Sequence, residues 1–342
     1  MLRGVLEAQA PPRQNATDTI STLSSRLASA TLLEDRRAAI QGLRSFAKEY
    51  PASVASGALR ALIGELQKDV EDVDTEKVVL ETLLMLFNPN ANSPEASEDI
   101  ALWLADEFSV RQDNITILLD LLDTSDFYSR LYALQLLSAI SAARPERLQD
   151  CLTTAPLAAT RLVAVLDDTR EAVRSAGLLL LNDVTHDSVD LQTVVVFENA
   201  FDRIFGLIES DGSLTYGSVI TQDCLSLLAN LLHLNTKNQS LFRESGYINK
   251  LAKLLADDGS PQNGEAEAGP SLTREKNLWG LLAVLRMFLV PGNVGTSANQ
   301  TAFEKQGLLQ LVLDLGFDKR TTPRVRGEVR FYDLDTIMVM RN

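Results

Sequence analysis

One segment of this chain recurs, and the recurrence limits the available folds more than any other feature. Leu118-Leu119-Asp120-Leu121-Leu122-Asp123 leads to Asp126-Phe127-Tyr128-Ser129-Arg130 and then to Ala133, Leu136 and Leu137. A shift of 44 residues gives Leu162-Val163-Ala164-Val165-Leu166-Asp167, then Arg170-Glu171-Ala172-Val173-Arg174, then Gly177, Leu180 and Leu181. Each copy reads as a leucine-rich helix, an acidic turn, an arginine, and a second helix with a small residue where a neighbour must approach closely. A second element recurs further on. Asn238-Gln239-Ser240-Leu241-Phe242 leads to Gly246, Ile248 and Leu251, and Asn299-Gln300-Thr301-Ala302-Phe303 leads to Gly307, Leu308 and Leu311. Phe197-Glu198-Asn199-Ala200-Phe201 is a weaker relative of both.

A period in the low forties, with two or three helices per unit, is the mark of armadillo or HEAT arrays. One such unit cannot bury its own apolar face, so stacked neighbours supply a continuous core. The expected fold is therefore all-α: a right-handed α-solenoid of armadillo/HEAT type. Apolar stripes at helical spacing agree, as in Leu33, Ile40, Leu43, Phe46 and in Val79, Leu80, Leu83, Leu84, Leu86. Thr193 to Phe197 is β-rich in composition but lies between helical patterns, and reads as helix.

The array is expected over residues 18–318, after a flexible N-terminus over 1–17. Two interruptions stand out. Asn88 to Ser97 is rich in Pro and Asn. Asp257 to Thr273 carries Gly259, Pro261, Gly264, Gly269 and Pro270 with Glu265 and Glu267, and reads as a mobile acidic loop. A solenoid needs a polar cap at each end. Thr19 to Ala30 is polar enough to serve at the front. At the back, residues 319–342 read as an atypical, disordered tail with no helical stripe. From Lys319 on, six Lys/Arg stand against three acids, a net charge of +3, whereas the whole chain carries -14. That switch is what a truncated form or a shifted reading frame would leave. Trypsin is expected to cut first in Arg320–Arg330 and in the Asp257–Thr273 loop.

Charge and composition exclude several functions. At 45% hydrophobic and 23% charged, the 342 residues can fold. The charge of -14 argues against nucleic-acid binding, which depends on cations at phosphates. Two cysteines, Cys151 and Cys224, and two histidines, His186 and His233, leave no disulfide framework or Cys/His zinc site. No cofactor is expected. No run of 18 apolar residues occurs, and the first 20 residues lack a signal-peptide stretch, so the chain reads as cytoplasmic.

No catalytic motif is present among the phosphate-binding, dinucleotide, nucleophile-elbow and zincin patterns, so the chain is not expected to be an enzyme. His186-Asp187-Ser188 are adjacent in sequence and read as a helix-end turn, since neighbouring residues do not converge as a triad. His233 reads as a partly buried helix residue, and both cysteines as inert packing groups. Carboxylate pairs such as Glu34-Asp35 and Asp167-Asp168 suit helix starts. Arg36-Arg37 is a basic pair in an acidic chain. It could meet an acidic partner, or pair with Glu34 and Asp35.

The repeat segments also resemble a known family. Thr31-Leu32-Leu33-Glu34-Asp35-Arg36-Arg37-Ala38-Ala39-Ile40, with Leu43-Arg44-Ser45 and Lys48-Glu49-Tyr50, is similar to the first signature block in the globular head of the Golgi vesicle-tethering proteins, the general vesicular transport factors. Asn114-Ile115-Thr116-Ile117-Leu118-Leu119-Asp120-Leu121-Leu122 adds to this. So does Val196-Phe197-Glu198-Asn199-Ala200-Phe201-Asp202-Arg203-Ile204. Asp223-Cys224-Leu225-Ser226-Leu227-Leu228-Ala229-Asn230-Leu231-Leu232, ending in Asn235, Asn238-Gln239 and Phe242, resembles the second signature block. The likeness runs from about Thr19 to Lys319.

The resemblance implies a non-enzymatic armadillo-like head that tethers transport vesicles between endoplasmic reticulum and Golgi before fusion. It implies a Rab-family GTPase and other Golgi tethering factors as partners, a possible homodimer, and peripheral attachment to Golgi and vesicle membranes through those partners. Whole family members continue into a coiled coil and an acidic tail, and this sequence contains neither. The partner-contact positions expected within the two blocks are Arg36 and Arg37 in one, Asn235 and Asn238 in the other, all taken as exposed; the recurrence of Asn238 as Asn299 also suggests a repeat-turn role, with its side chain capping a helix. The alternative is an armadillo-type adaptor for peptide or cargo. Such adaptors carry regular Trp and Asn ladders, and Trp103 and Trp279 are too far apart to form one.

Overall fold

The computed structural model describes residues 15–68, 72–259, 272–290, 292–318 and 321–329. All regular structure in them is helical, with no strand. No described helix is long and apolar enough to cross a membrane. The chain divides into two compact units, Met1–Cys151 and Leu152–Asn342, where the sequence suggested one array.

In the first unit the helices are α1 (Ala16–Ser29), α2 (Leu33–Ala47), α3 (Pro51–Lys68), α4 (Val73–Phe87), α5 (Glu98–Ser109), α6 (Gln112–Asp120) and α7 (Phe127–Ala143). The boundary falls within α8 (Pro145–Thr154). Helices α2, α4 and α7 stack side by side as the long third helices of successive repeats. Side-chain oxygens fix several helix starts. Asn15 accepts from the Asp18 amide, Asp72 from Thr75, Ser97 from Asp99 and Asp126 from Ser129. Each cap contributes on the order of 1 kcal/mol. Arg144, which ends α7, binds Asp106 of α5 through two hydrogen bonds, Nε to Oδ1 at 2.8 Å and Nη2 to Oδ2 at 2.9 Å.

Helix α1 covers the stretch in which the sequence suggested a front cap. It buries Ile20 and Leu27 and turns most of its polar residues outward. It starts at Ala16, inside the stretch expected to be flexible to residue 17, and residues 1–14 lie outside the described part. The interruption at 88–97 is pinned down: the Asn90 amide donates to the Lys48 carbonyl, Ser93 Oγ to the Glu49 carbonyl, and the Ser53 amide to Glu95.

The second unit contains α9 (Ala158–Ala164), α10 (Glu171–Thr185), α11 (Val189–Phe197), α12 (Ala200–Ser210), the short α13 (Ser213–Tyr216), α14 (Val219–Leu232), α15 (Thr236–Glu244), α16 (Tyr247–Gly259), α17 (Leu272–Met287), α18 (Thr296–Lys305), α19 (Leu308–Phe317) and α20 over 323–329. Here α10, α14 and α17 are the stacked third helices. The stack is stitched by Asn182, which donates to the Asp223 carbonyl, and by Asn230, which donates to the Asn182 carbonyl, both at 3.0 Å.

The 44-residue recurrence returns in structure at the turn between its two helices. A 3₁₀ turn closes α6 at Leu121–Asp123 and another closes α9 at Val165–Asp167. The small residue foreseen at Gly177 is required there, since a Cβ would sit 2.5 Å from Val165 Cγ1. Between first and second helices the chain must reverse through a left-handed residue. Leu157, Asn199, Gly246 and Gly307 fill that position in turn, with φ of 57, 61, 79 and 67°. Glycine and asparagine suit it, and leucine is strained. A row of aromatic rings runs through the largely aliphatic core of this unit. Phe201 meets Phe242 edge-on at 4.9 Å, Tyr247 stacks on Phe205 at 5.8 Å, and Phe288 joins Phe242 to Phe303.

Two expectations change. Asp257–Gly259 ends α16 and Leu272-Thr273 begins α17, so only residues 260–271 of the expected loop remain, and they lie outside the described part. Its base is clamped: Asp258, nearly buried, takes two hydrogen bonds from Arg274 and one from Thr215. The tail also departs from its reading. Residues 323–329 are helical and bury Val325 and Val329 at 1% and 4% exposure. Val329 fills the space left by Gly316, where a Cβ would lie 2.7 Å from its Cγ1. Glu328 accepts from Trp279 and Arg286, and Arg324 lies over the Trp279 ring. Val325 and Val329 are four apart, a stripe too short to notice in the sequence. Residues 319–320 and 330–342 are outside the described part.

Candidate interaction surfaces

In the first signature block the two arginines are tied into the fold. Arg36 Nε lies 3.3 Å from Glu65 Oε2, and the two side chains are only 13% and 2% exposed. Arg37 spans α2 to the start of α4: Nη2 reaches Asp72 Oδ1 at 2.6 Å, and Nε reaches Asp72 Oδ2 and Thr75 Oγ1 at 3.2 Å. The hydrogen bond from Arg37 holds the Asp72 carboxyl below the usual carboxylate range, and the same bond raises Arg37. Asp35 pairs with Arg26 at 2.6 Å rather than with either arginine of the block. Arg36 is thus not the exposed contact expected of it, because a buried glutamate holds it. Arg37 keeps a half-exposed side chain at the rim of a cavity of about 130 Å³, shared with Ile40, Gln41, Asp74, Thr75 and Val78.

Beside that cavity runs a cluster that sequence reasoning missed. Lys77 Nζ sits 3.5 Å above the Tyr128 ring, and Tyr128 contacts Tyr132. The Tyr132 hydroxyl donates to Glu81, which Arg44 also binds at 2.9 Å. Desolvation first, and Glu81 second, push the Tyr132 phenol up to about 12. The signal was available: Tyr128/Tyr132 on α7 and Lys77/Glu81 on α4 are i, i+4 pairs on helices that stack. Cation, ring, hydroxyl and carboxylate together make a surface suited to recognition.

In the second block the expected contacts are interior. Asn235 and Asn238 are each 2% exposed. Asn235 caps α15 by accepting from the Asn238 amide, and donates to Gln192 Oε1 and Thr193 Oγ1. Asn238 donates to the Gln192 and Leu231 carbonyls at 3.1 and 2.8 Å. Gln192 donates to the Thr185 carbonyl, and Gln239 to the Leu232 and Met287 carbonyls. Asn299 continues the row, donating to Gln239 Oε1 and the Phe288 carbonyl. These amides satisfy carbonyls that the third helices leave free at their C-terminal ends, and they tie each repeat to the next. Neither asparagine can offer its side chain to a partner, and the recurrence of Asn238 as Asn299 reflects this shared bond.

Both histidines border a second cavity, of about 180 Å³, with Asp187, Gln192, Ala229, Asn230 and Met287. His186 is the C-cap of α10 and pairs with Asp187 at 3.0 Å, in keeping with the turn reading. His233 is the exposed C-cap of α14, with Nδ1 3.4 Å from Met287 Sδ, so it is not the partly buried helix residue expected. Burial raises the thiols of Cys151 and Cys224. Two inert thiols fit packing roles. Among the described residues no group of three His, Cys, Asp or Glu could hold a metal ion.

No protein-family model matches the chain. Intracellular protein transport protein USO1 of Saccharomyces cerevisiae is 35% identical over 346 residues, covering 93% of this chain and 19% of that protein. General vesicular transport factor p115 of Homo sapiens is 35% identical over 318 residues, covering 90% of this chain and 32% of that protein. The chain therefore spans a third or less of the length of these curated relatives. The crystal structure of Uso1-2 superimposes with a TM-score of 0.86 at 33% identity, over 96% of this chain and 52% of that one. A computationally designed armadillo repeat protein superimposes over 77% of this chain and 99% of its own, with a TM-score of 0.57 at 17% identity, which shows the armadillo fold alone.

Proposed function

Since the chain belongs to the Uso1/p115 family of vesicular transport factors, we propose that it is a non-enzymatic scaffold acting in vesicle tethering between endoplasmic reticulum and Golgi. It binds a Rab-family GTPase and other Golgi tethering factors, and it reaches Golgi and vesicle membranes through those partners. A homodimer is part of this reading. The observation that carries it is the match of nine tenths of the chain to two intracellular transport factors from distant organisms. The surfaces support it. Arg37, Gln41 and Asp74 around an apolar floor of Ile40 and Val78, next to Lys77 and the two tyrosines, offer charge, aromatic faces and hydrogen-bond donors with no nucleophile–base pair. Repeat proteins use such extended faces for recognition.

The reading is tested in a cell-free transport reaction between endoplasmic reticulum and Golgi membranes. Excess chain should compete with the resident tether and lower vesicle capture in a dose-dependent way. Capture that is unchanged at a large molar excess would count against the proposal.

A further inference from the structure

The flank formed by α11 and α15 in the second unit exposes several large apolar side chains, with one charge, Asp190, among them. Helix α11 buries Leu191, Val195 and Val196 on one side, yet Val189, Val194 and Phe197 stand 54%, 44% and 73% exposed on the other. Large apolar side chains this exposed on one face mark a surface suited to a partner. On α15, Leu241 occupies the position equivalent to Val194, counted from Asn199 and Gly246, and is 38% exposed. Leu234, in the turn before α15, is held at φ 50° with 61% of its surface exposed. That backbone disfavours a bulky residue, so this turn carries a strained leucine that reaches solvent instead of the core.

The rim of this flank is acidic. On and beside these two helices Asp187, Asp190, Glu198 and Glu244 outnumber Lys237 and Arg243; Asp187 pairs with His186, and Arg243 with Asn299 and Glu244. From Val189 to Phe197 the helix runs about 12 Å, and a neighbouring helix lies roughly 10 Å away. That ground fits two turns of an added helix, anchored at i, i+3/i+4 and i+7. An anionic membrane would be repelled by the rim, whereas a helix bordered by lysine or arginine would be drawn to it.

We propose that the α11–α15 flank is the docking surface for an amphipathic partner helix with an apolar stripe and basic borders. The proposal rests on the scaffold reading in one respect, that the chain acts by binding, and names a surface and a partner chemistry for it.

The test uses a fluorescein-labelled 18-residue peptide with leucines at i, i+3, i+4, i+7 spacing and lysines between them. Fluorescence anisotropy is read against the full chain. Two control peptides share its length, one a scramble without the stripe and one with glutamate for lysine. The expected result is saturable binding that falls at least tenfold with either control and at least tenfold with Phe197→Asp or Val194→Asp, both checked for helicity by circular dichroism. Equal binding of the scramble, or binding unchanged in both variants, overturns the proposal. A dimer of the chain that Phe197→Asp converts to monomer would assign the flank to a second copy and also overturn it. GTPase binding measured on the same variants separates this from the scaffold reading, because it should persist when peptide binding is lost.

Discussion

Asn238→Ala should unfold the second unit more readily without touching any exposed surface. The side chain is 2% exposed and donates to the Leu231 carbonyl at 2.8 Å and the Gln192 carbonyl at 3.1 Å. The Leu231 carbonyl belongs to the last turn of α14, where helical partners run out. Leaving such a buried acceptor unpaired costs roughly 1–3 kcal/mol, and loss of the second bond adds about 1 kcal/mol. The expected loss is therefore about 2–4 kcal/mol. Asn238→Asp should be worse at neutral pH, since a carboxylate would face two carbonyl oxygens. Its folded-state pKa would lie above the unfolded value near 3.9, so the folded form binds the proton more tightly. The penalty of this variant should then shrink as pH falls through that raised value. Urea titration followed at 222 nm measures both effects, with the slope m checked for constancy. A loss below about 0.5 kcal/mol for the alanine variant, together with lost partner binding, would return Asn238 to the role of a surface contact and refute the amide row.

Three further outcomes follow from the same geometry. Arg36→Glu should cost about 3 kcal/mol or more, because Glu65 is 2% exposed at its side chain and would face a like charge, whereas an exposed site would lose under about 1 kcal/mol; urea midpoints decide between them. Asp72 titrates below its ordinary value through Arg37, so this pair stabilises the fold fully above the unfolded carboxylate value near 3.9 and less as pH falls through the depressed folded value. Arg37→Gln should accordingly lag the wild type above about pH 4 and converge with it in stronger acid, as read by stability against pH. Gly316→Ala should push Val329 off α19 and loosen α20, giving a red-shifted Trp279 emission in a Trp103→Phe background and faster tryptic cleavage at Arg324 and Arg326.

The helices and their repetition were legible because each repeat writes the same stripe and the same turn. Leu118–Asp123 and Leu162–Asp167 fold alike down to the 3₁₀ turn, and Gly177 is small for the reason its neighbour Val165 gives. The small residue at the first turn was legible at Gly246 and Gly307 and hidden at Leu157, where tertiary context overrides backbone preference. Exposure was the failure. Arg36, Asn235 and Asn238 are polar, and a polar residue at a helix start looks the same in sequence whether it caps its own helix or reaches a helix far along the chain. The cluster of Tyr128, Tyr132, Lys77 and Glu81 left only a partial signal, two i, i+4 pairs, because the pairs meet only when α4 and α7 stack. The α20 helix escaped notice because two valines and a salt link, not a long stripe, hold seven residues in place.

The central claim, that the chain works by binding a switch GTPase rather than by chemistry, is met most directly by calorimetric titration of the purified chain with Rab proteins locked in the GTP and GDP states. The account predicts saturable binding to at least one GTP-locked Rab, at least tenfold tighter than to its GDP form, a difference of about 1.4 kcal/mol or more. Equal affinity for the two states across the panel, or no binding to any, would contradict it.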